Sequence, residues 1–419
     1  MNDKTIRPEP EYFRENRKRF FNEIEDKTIV ILFSGTAQRK TSDQYYPFEC
    51  NHNFYYLTGV EQEGSVLIIK KLDGLILKLI LCIRTNDSFA ERWNGIRLTQ
   101  DEAARISGIY ETAFSEGLDG ALKNILKGWD GTVSIDKDAV TGSYFWITDF
   151  LEDNFPDIEI KDVYPVFSRL RSIKSEYEVS LIKKAIEATR DGIFRIFKTT
   201  AAGMKEYELA AEYAYILYKK GLGEPSFESI VATGRNFNYL HYPQMNETVR
   251  DGDLVLLDVG AYYCYMSSDI SRAFPVNGKF SEKQLIIYRI VRDCQEMAFS
   301  MIKPGMYIND INQACRELAG QRLTALGLLH DMKDVEKYYW HNLSHHLGLD
   351  VHDICSRDVV LQEGMVITVE PGVYVSEWNV GLRIEDDVWV TSGGCEILSE
   401  CIPREADEIE SLLSGRING

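Results

Sequence analysis

The strongest constraint on the fold is a short apolar run that carries a carboxylate near its end, Leu254-Val255-Leu256-Leu257-Asp258-Val259-Gly260-Ala261. A second aspartate, Asp269, follows in Ser267-Ser268-Asp269-Ile270-Ser271-Arg272. The aliphatic run predicts a buried strand, and Tyr262-Tyr263-Cys264-Tyr265 predicts the turn of a hairpin. A hairpin centred on that turn sets Asp258 opposite Asp269, with facing Cβ atoms about 4.5–5.5 Å apart. Two carboxylates that close repel each other and hold either a shared proton or a cation between them. Any fold for this chain must accommodate that pair.

At 419 residues the chain exceeds the size at which one core keeps growing, and two domains are expected. A hydrophobic share of 44% supplies ample material for packed cores. The net charge of −18, from 65 acidic against 47 basic residues, argues against nucleic acid as a partner, because phosphate-tracking surfaces are basic. Met1 to Pro8 lacks the apolar core of a signal peptide. The most apolar stretch, Leu75 to Ile83, is too short to span a bilayer and contains Lys78, so no membrane segment is expected. The eight cysteines form no Cys-x-x-Cys pair and sit in apolar patterns, which suits reduced thiols in a cytoplasmic setting.

An α+β organisation emerges along the chain. Glu11 to Ile24 has helical spacing and Thr28 to Phe33 reads as a strand. Phe54 to Gly59, Ser65 to Ile69 and Leu75 to Ile83 read as further strands, the last two joined by a turn at Asp73-Gly74. The region from Ile96 to Gly131 reads as helical, and Val133 to Asp136 and Ile158 to Ile160 as short strands. Residues 1–165 are therefore expected to form one α/β domain, and 166–419 a second. The second opens on Ser175 and Glu178, spaced as a capping box, followed by an apolar stripe at Val179, Ile182, Ile186, Ile193 and Ile196. Another box, Ser281 to Gln284, starts a second long helix. The pattern is written twice: helices then the Asp258 hairpin, helices then a hairpin containing Glu370 and Glu385.

Four of the seven histidines fall between His341 and His352, and Asp258, Glu370 and Glu385 each interrupt or end an apolar strand pattern. Burying such a charge without a partner is expensive, so a shared cation is the economical explanation. Four carboxylates with one imidazole make an oxygen-rich donor set that favours manganese over thiolate-bound zinc. Bridging carboxylates hold two ions about 3.5–4 Å apart.

The ordered set Asp258, Asp269, His345, Glu370 and Glu385 resembles the metal site of the pita-bread metallopeptidases, which include methionine aminopeptidase, prolidase and aminopeptidase P. Arg171 to Glu178 is similar to the motif that opens the family's catalytic domain. Asn53 to Gly59 and Trp93 to Arg97 look like motifs of the amino-terminal domain carried by the aminopeptidase P and prolidase branches. Ser344 to Asp353 is closest to the aminopeptidase P branch, with Asn342 and His346 as departures from its pattern.

The resemblance implies an α/β amino-terminal domain, a pseudo-symmetric pita-bread domain and two divalent metal ions. It implies that Asp258 chelates one ion, that Asp269 and Glu385 bridge both, and that His345 and Glu370 complete the other shell. It further implies a bridging hydroxide as nucleophile, Glu370 as proton relay, His241 and His352 as donors to substrate and oxyanion, and His341 and Arg383 on the proline side of the cleft. Peptides with proline at the second position become the expected substrates, and a homodimer or homotetramer the expected assembly. Prolidase activity on Xaa-Pro dipeptides is the alternative within this chemistry, and a non-catalytic binding protein the alternative outside it. His346, Tyr55 and Tyr56 read as packing residues, with Trp93 as a core or subunit contact. Arg383 has the further option of pairing with Asp386 or Asp387.

Overall fold

A computed structural model describes residues 7–137, 144–355 and 360–417. Two compact units part after Leu170. The first contains helix α1 (Pro10–Glu23), β1 (Thr28–Phe33), α2 (His52–Thr58), β2 (Val66–Leu72), β3 (Leu75–Ile83), α3 (Ser88–Asn94), α4 (Gln100–Ser107) and β4 (Thr112–Phe114). It continues with α5 (Leu118–Leu126), β5 (Thr132–Ile135), α6 (Tyr144–Asn154) and β6 (Ile160–Asp162), and the division falls within α7 (Tyr164–Ser172), which also contains Pro165.

The six strands form one sheet in the order β4-β3-β2-β1-β5-β6. Ile29 and Ile31 on β1 and Ile68 on β2 pack with Leu122, Leu126, Ile147 and Leu151, so helices α5 and α6 cover that face. Asp73 and Gly74 both take positive φ, as a two-residue turn between twisted strands requires. Phe54 to Gly59, expected as a strand, is instead helical. Asn51 caps it by accepting from the Phe54 amide at 2.8 Å, and Gly59 closes it in the left-handed conformation. Capping at both ends outweighs the strand preference of Phe-Tyr-Tyr. Tyr55 and Tyr56 are buried as packing residues, whereas Trp93 is 74% exposed. The region read as helical also holds the short strand β4, and β6 starts two residues later than expected.

The second unit begins with α8 (Glu176–Thr199), α9 (Glu206–Lys220) and β7 (Ile230–Thr233). Then come β8 (Leu254–Val259), β9 (Tyr262–Tyr263), β10 (Met266–Ser267) and β11 (Ile270–Pro275). A second helix pair, α10 (Glu282–Met301) and α11 (Ile308–Ala325), precedes β12 (Val366–Val369), β13 (Gly372–Val375), β14 (Val380–Arg383), β15 (Asp386–Thr391), β16 (Gly394–Ile397) and α12 (Ala406–Ile417). Both capping boxes form: Ser175 with Glu178, and Ser281 with Gln284. The predicted apolar stripe of α8 is buried along its length.

Candidate metal centre and cleft

Cys264 and Tyr265 adopt positive φ and close the predicted turn between β9 and β10. The register beyond it differs from the expectation. Asp258 faces Ser271, and Val259 faces Ile270, so Asp269 lies two positions beyond the partner of Asp258. The turn falls on Cys264-Tyr265, one residue later than the centre of Tyr262–Tyr265, and that offset moves every facing partner by two. Because strand side chains alternate with period two, a displacement of two keeps both aspartates on one face as diagonal neighbours.

The other two acids come from an interrupted hairpin. β12 pairs with β15 with Val369 opposite Asp386, and β13 pairs with β14 with Gly372 opposite Arg383. That register places Glu370 and Glu385 across from each other in the gap between the two ladders. Their backbones are tied elsewhere: the Glu370 amide donates to Leu343 O at 2.9 Å, and the Glu385 amide to Ser271 O at 3.1 Å. Gly372, next to the gap, must lack a side chain, since a Cβ there would stand 2.6 Å from both His341 Nε2 and the Tyr374 hydroxyl.

His345 is delivered by a segment running beside β12, where the Thr368 amide donates to His345 O and the Leu347 amide to Val366 O. Its Nδ1 lies 3.0 Å from His346 O, a contact that places the ring proton on that nitrogen. Its Nε2 then presents a lone pair 3.4 Å from Asp269 Oδ2 and 3.6 Å from Glu370 Oε1. Burial, with His352 adding to it, pushes the imidazole down to about 3, so it is neutral at physiological pH. A lone pair facing carboxylate oxygens has no stabilising partner unless a proton or a metal cation stands between them.

The acids give the same answer. Burial, and then the neighbouring carboxylates, hold Asp269 and Glu385 well above the ordinary carboxylate range. Burial moves Glu370 up to about 7 against the opposing pull of Arg383. Asp258 Oδ1 and Asp269 Oδ1 are buried and have no hydrogen-bond partner among the described residues. Donor atoms of Asp269, His345 and Glu385 all lie within 4.8 Å of one another. Hard oxygens, one neutral imidazole and two unpartnered carboxylate oxygens fit a divalent metal ion.

All nine residues singled out in the sequence line one cavity of about 280 Å³. His241 and His352 are accessible at its walls, and the His352 ring stacks on that of His345 at 4.0 Å. Arg383 donates to Asp258 Oδ2 at 2.5 Å, to Ser271 Oγ at 2.8 Å and to the Tyr374 hydroxyl at 3.0 Å. It does not pair with Asp386, which Arg272 takes at 2.8 Å, nor with Asp387, which accepts from the Asp269 amide. His341 Nε2 lies 2.9 Å from the Tyr374 hydroxyl, and its Nδ1 is 3.6 Å from Glu370 Oε2. Leu240, Asn342 and Ser344 complete the lining. Tyr374, which joins His341 to Arg383, was not singled out in the sequence; inside Gly372-Val373-Tyr374-Val375 it reads as one more strand aromatic. His346 is buried and neither ring nitrogen has a partner, as a packing residue would be.

A carboxylate-rich cleft between two similar halves, each built from a helix pair and a β-ladder, is the form of a metallohydrolase site. Residues 180–392 match the metallopeptidase family M24, and residues 13–134 match the aminopeptidase P N-terminal domain. The Xaa-Pro aminopeptidase of Haemophilus influenzae is 34% identical, with 96% of this chain and 97% of the relative covered. The human Xaa-Pro aminopeptidase 3 is 32% identical over 93% of this chain and 81% of its own length. The structure of Escherichia coli aminopeptidase P with the inhibitor Pro-Leu superposes with a TM-score of 0.92 at 30% identity, covering 99% of this chain and all of that one. The chain belongs to metallopeptidase family M24, with an aminopeptidase P amino-terminal domain ahead of a pita-bread catalytic domain.

Proposed function

We propose that the chain removes the amino-terminal residue preceding proline from peptides, using two divalent metal ions held by Asp258, Asp269, His345, Glu370 and Glu385. The observation that carries this reading is the neutral His345 Nε2 turned towards Asp269 and Glu370, in a cavity where buried carboxylate oxygens lack partners. The donor set favours manganese. When bound, such ions lower the pKa of a water towards neutrality and polarise the scissile carbonyl.

The chain's own side chains supply the remaining work. Glu370 has one oxygen near His345 and the other near His341, so it can face the metal side with Oε1 and carry a proton towards the leaving nitrogen with Oε2. His241 and His352 line the cavity where a substrate carbonyl needs donors as charge develops on its oxygen. His341, Tyr374 and Arg383 form a hydrogen-bonded row that shapes the proline side. An X-Pro bond lacks an N–H, so shape and acceptor contacts must orient it where other peptide bonds offer a donor.

Longer peptides are favoured over dipeptides because a dipeptide-specific site needs a cation free to bind the terminal carboxylate. Among the lining residues the one Arg or Lys is Arg383, already engaged with Asp258, Ser271 and Tyr374. A homodimer or homotetramer is proposed on the family resemblance. A cytoplasmic setting suits thiols such as Cys294 and Cys315, buried and donating to each other's backbone carbonyl. Turnover of Xaa-Pro-Xaa and Xaa-Pro peptides after chelation and after manganese restoration tests the proposal. Cleavage of the longer peptides, lost on chelation and regained with manganese, is expected; cleavage of dipeptides alone would overturn it.

A further inference from the structure

Behind the cleft, residues 345–353 leave β12 and return within hydrogen-bonding distance of their start, the Asp353 amide donating to His346 O at 2.9 Å. One end of this loop carries His345 and the other His352. The two ends are held differently. His345 is fixed through its backbone to β12 and through Nδ1 to His346 O. His352 has no hydrogen bond to either ring nitrogen among the described residues and is located only by its stacking on His345 and by the backbone that bears it.

That backbone leads directly into Asp353, whose side chain is 1% exposed. Arg171 donates to Asp353 Oδ1 at 2.6 Å and Lys174 to Oδ2 at 2.9 Å, and both cations are themselves buried. The same Arg171 nitrogen also donates to Asp350 Oδ2, so one guanidinium ties two points of the loop. Asp353 Oδ1 accepts in addition from the Ile354 amide at 3.0 Å. Nothing in this arrangement is loose. A Cβ at Gly348 would stand 2.0 Å from Asp353 Oδ2 and 2.9 Å from Lys174 Cε. Lys174 is anchored in turn by its amide, which donates to Gly364 O at 2.8 Å.

We propose that Arg171 and Lys174 are positioning residues for the reaction, setting the place of the His352 imidazole in the cleft through the buried carboxylate of Asp353. The segment that opens the second unit thus acts on a wall of the cleft from the far side of the loop. The proposal rests on the reading of His352 as a group that meets the substrate. Its physical basis is that a ring without hydrogen bonds inherits its position from its backbone, and a displacement of about 1 Å in a substrate-facing group lowers turnover about a hundredfold. Removing Lys174 frees one oxygen of Asp353 and lets that backbone shift, while the five metal-site residues keep their own supports.

A double-mutant cycle with Lys174→Met and His352→Ala in the metal-loaded chain tests this. Expected are a fall in kcat of about ten- to hundredfold for Lys174→Met with KM and metal content unchanged, and a fall of less than about twofold when the same change is made in the His352→Ala background. Equal loss in both backgrounds, or loss that tracks metal content, would assign the cluster to general stability and overturn the inference. Normal turnover in His352→Ala alone would instead break the reading of His352 on which it rests. Should Lys174→Met fail to fold, Arg171→Lys goes through the same cycle with the same two outcomes, because it keeps the buried charge but cannot reach both carboxylates.

Discussion

The second unit buries two clusters of charge that both draw on residues 345–353, and they are built on opposite rules. Around Arg171 and Lys174 two cations meet two carboxylates, with every contact at hydrogen-bond distance. Burial opposes the charge on both Arg171 and Asp353, yet the partners outweigh it: the guanidinium is held above its ordinary value and Asp353 below. In the cleft four carboxylates share one arginine and a neutral imidazole, and burial with mutual repulsion drives Asp269 and Glu385 upward. One cluster is complete as a protein structure. The other is complete only with cations, and that asymmetry separates a structural ion pair from a ligand site better than burial or charge count does.

The largest effect should come from the cleft, where the two consequences of one substitution have opposite signs. On the proposed ligand set Asp269→Asn removes a bridging ligand, so turnover should drop about a thousandfold or more. The same change should stabilise the chelated chain by about 1 kcal/mol or more, because the folded protein no longer resists ionising a carboxylate that ionises freely when unfolded. Assays at saturating manganese, with urea unfolding in chelator, measure both; destabilisation of the chelated chain would show that Asp269 already has its partners.

Asp353→Asn is the counterpart. It leaves Arg171 and Lys174 buried with their shared anion gone, and should destabilise by about 3–5 kcal/mol with or without metal. A shift below about 1 kcal/mol in urea unfolding would remove the distinction between the clusters.

Their pH dependences should also oppose one another. Asp353, with its folded pKa depressed, contributes stability that is present above the ordinary carboxylate pKa and lost as pH falls through its folded value. Asp269, Glu385 and Glu370 are raised, the last to about 7, so in the chelated chain these three acids contribute stability that is lost as pH rises from about 4 towards 7. The buried histidines His341, His345 and His346, held below their ordinary value, act in the opposite sense over the same range, so the contribution of Asp269 is read from the difference between the chelated protein and Asp269→Asn: the variant's advantage in unfolding free energy should grow as pH rises from about 4 towards 7.

The smallest effect belongs to His346, which lies between the two clusters and joins neither. Burial, followed by Lys174, pushes it down to about 4, so it stays neutral, and its nitrogens have no partners. His346→Phe should change stability by less than about 1.5 kcal/mol and leave turnover nearly intact. A large loss of activity would mean that the ring contributes more than packing.

Legibility in the sequence followed the range of the forces involved. The capping boxes at Ser175 and Ser281, the stripe of α8 and the turn at Asp73-Gly74 could be read directly, since each depends on residues a few positions apart, whereas the turn within Tyr262–Tyr265 was located but centred one residue early. The helix α2 was missed although its caps, Asn51 and Gly59, are local, because the strand preference of Phe-Tyr-Tyr hid them. The cleft acids Asp258, Glu370 and Glu385 were visible as charges breaking or ending apolar strands, and Asp269 by its spacing from Asp258. Tyr374 was not, since a strand tyrosine looks the same whether its hydroxyl meets His341 and Arg383 or solvent.

By itself the sequence determined the two-part α+β organisation, the nine side chains of the cleft and the oxygen-rich character of the donor set. Local periodicity and residue chemistry suffice for the organisation and the donor set, whereas His241, His341, His352 and Arg383 came from the resemblance to the pita-bread metallopeptidases. Tertiary structure alone decided the register that places Asp269 diagonal to Asp258, the facing of Glu370 and Glu385 across a gap between two ladders, the assignment of Arg383 to Asp258, and the clamp of Arg171 and Lys174 on Asp353. The first two depend on where a turn or a gap falls within a hairpin, which an offset of one residue changes, and the last two on segments brought together across more than a hundred residues of intervening chain.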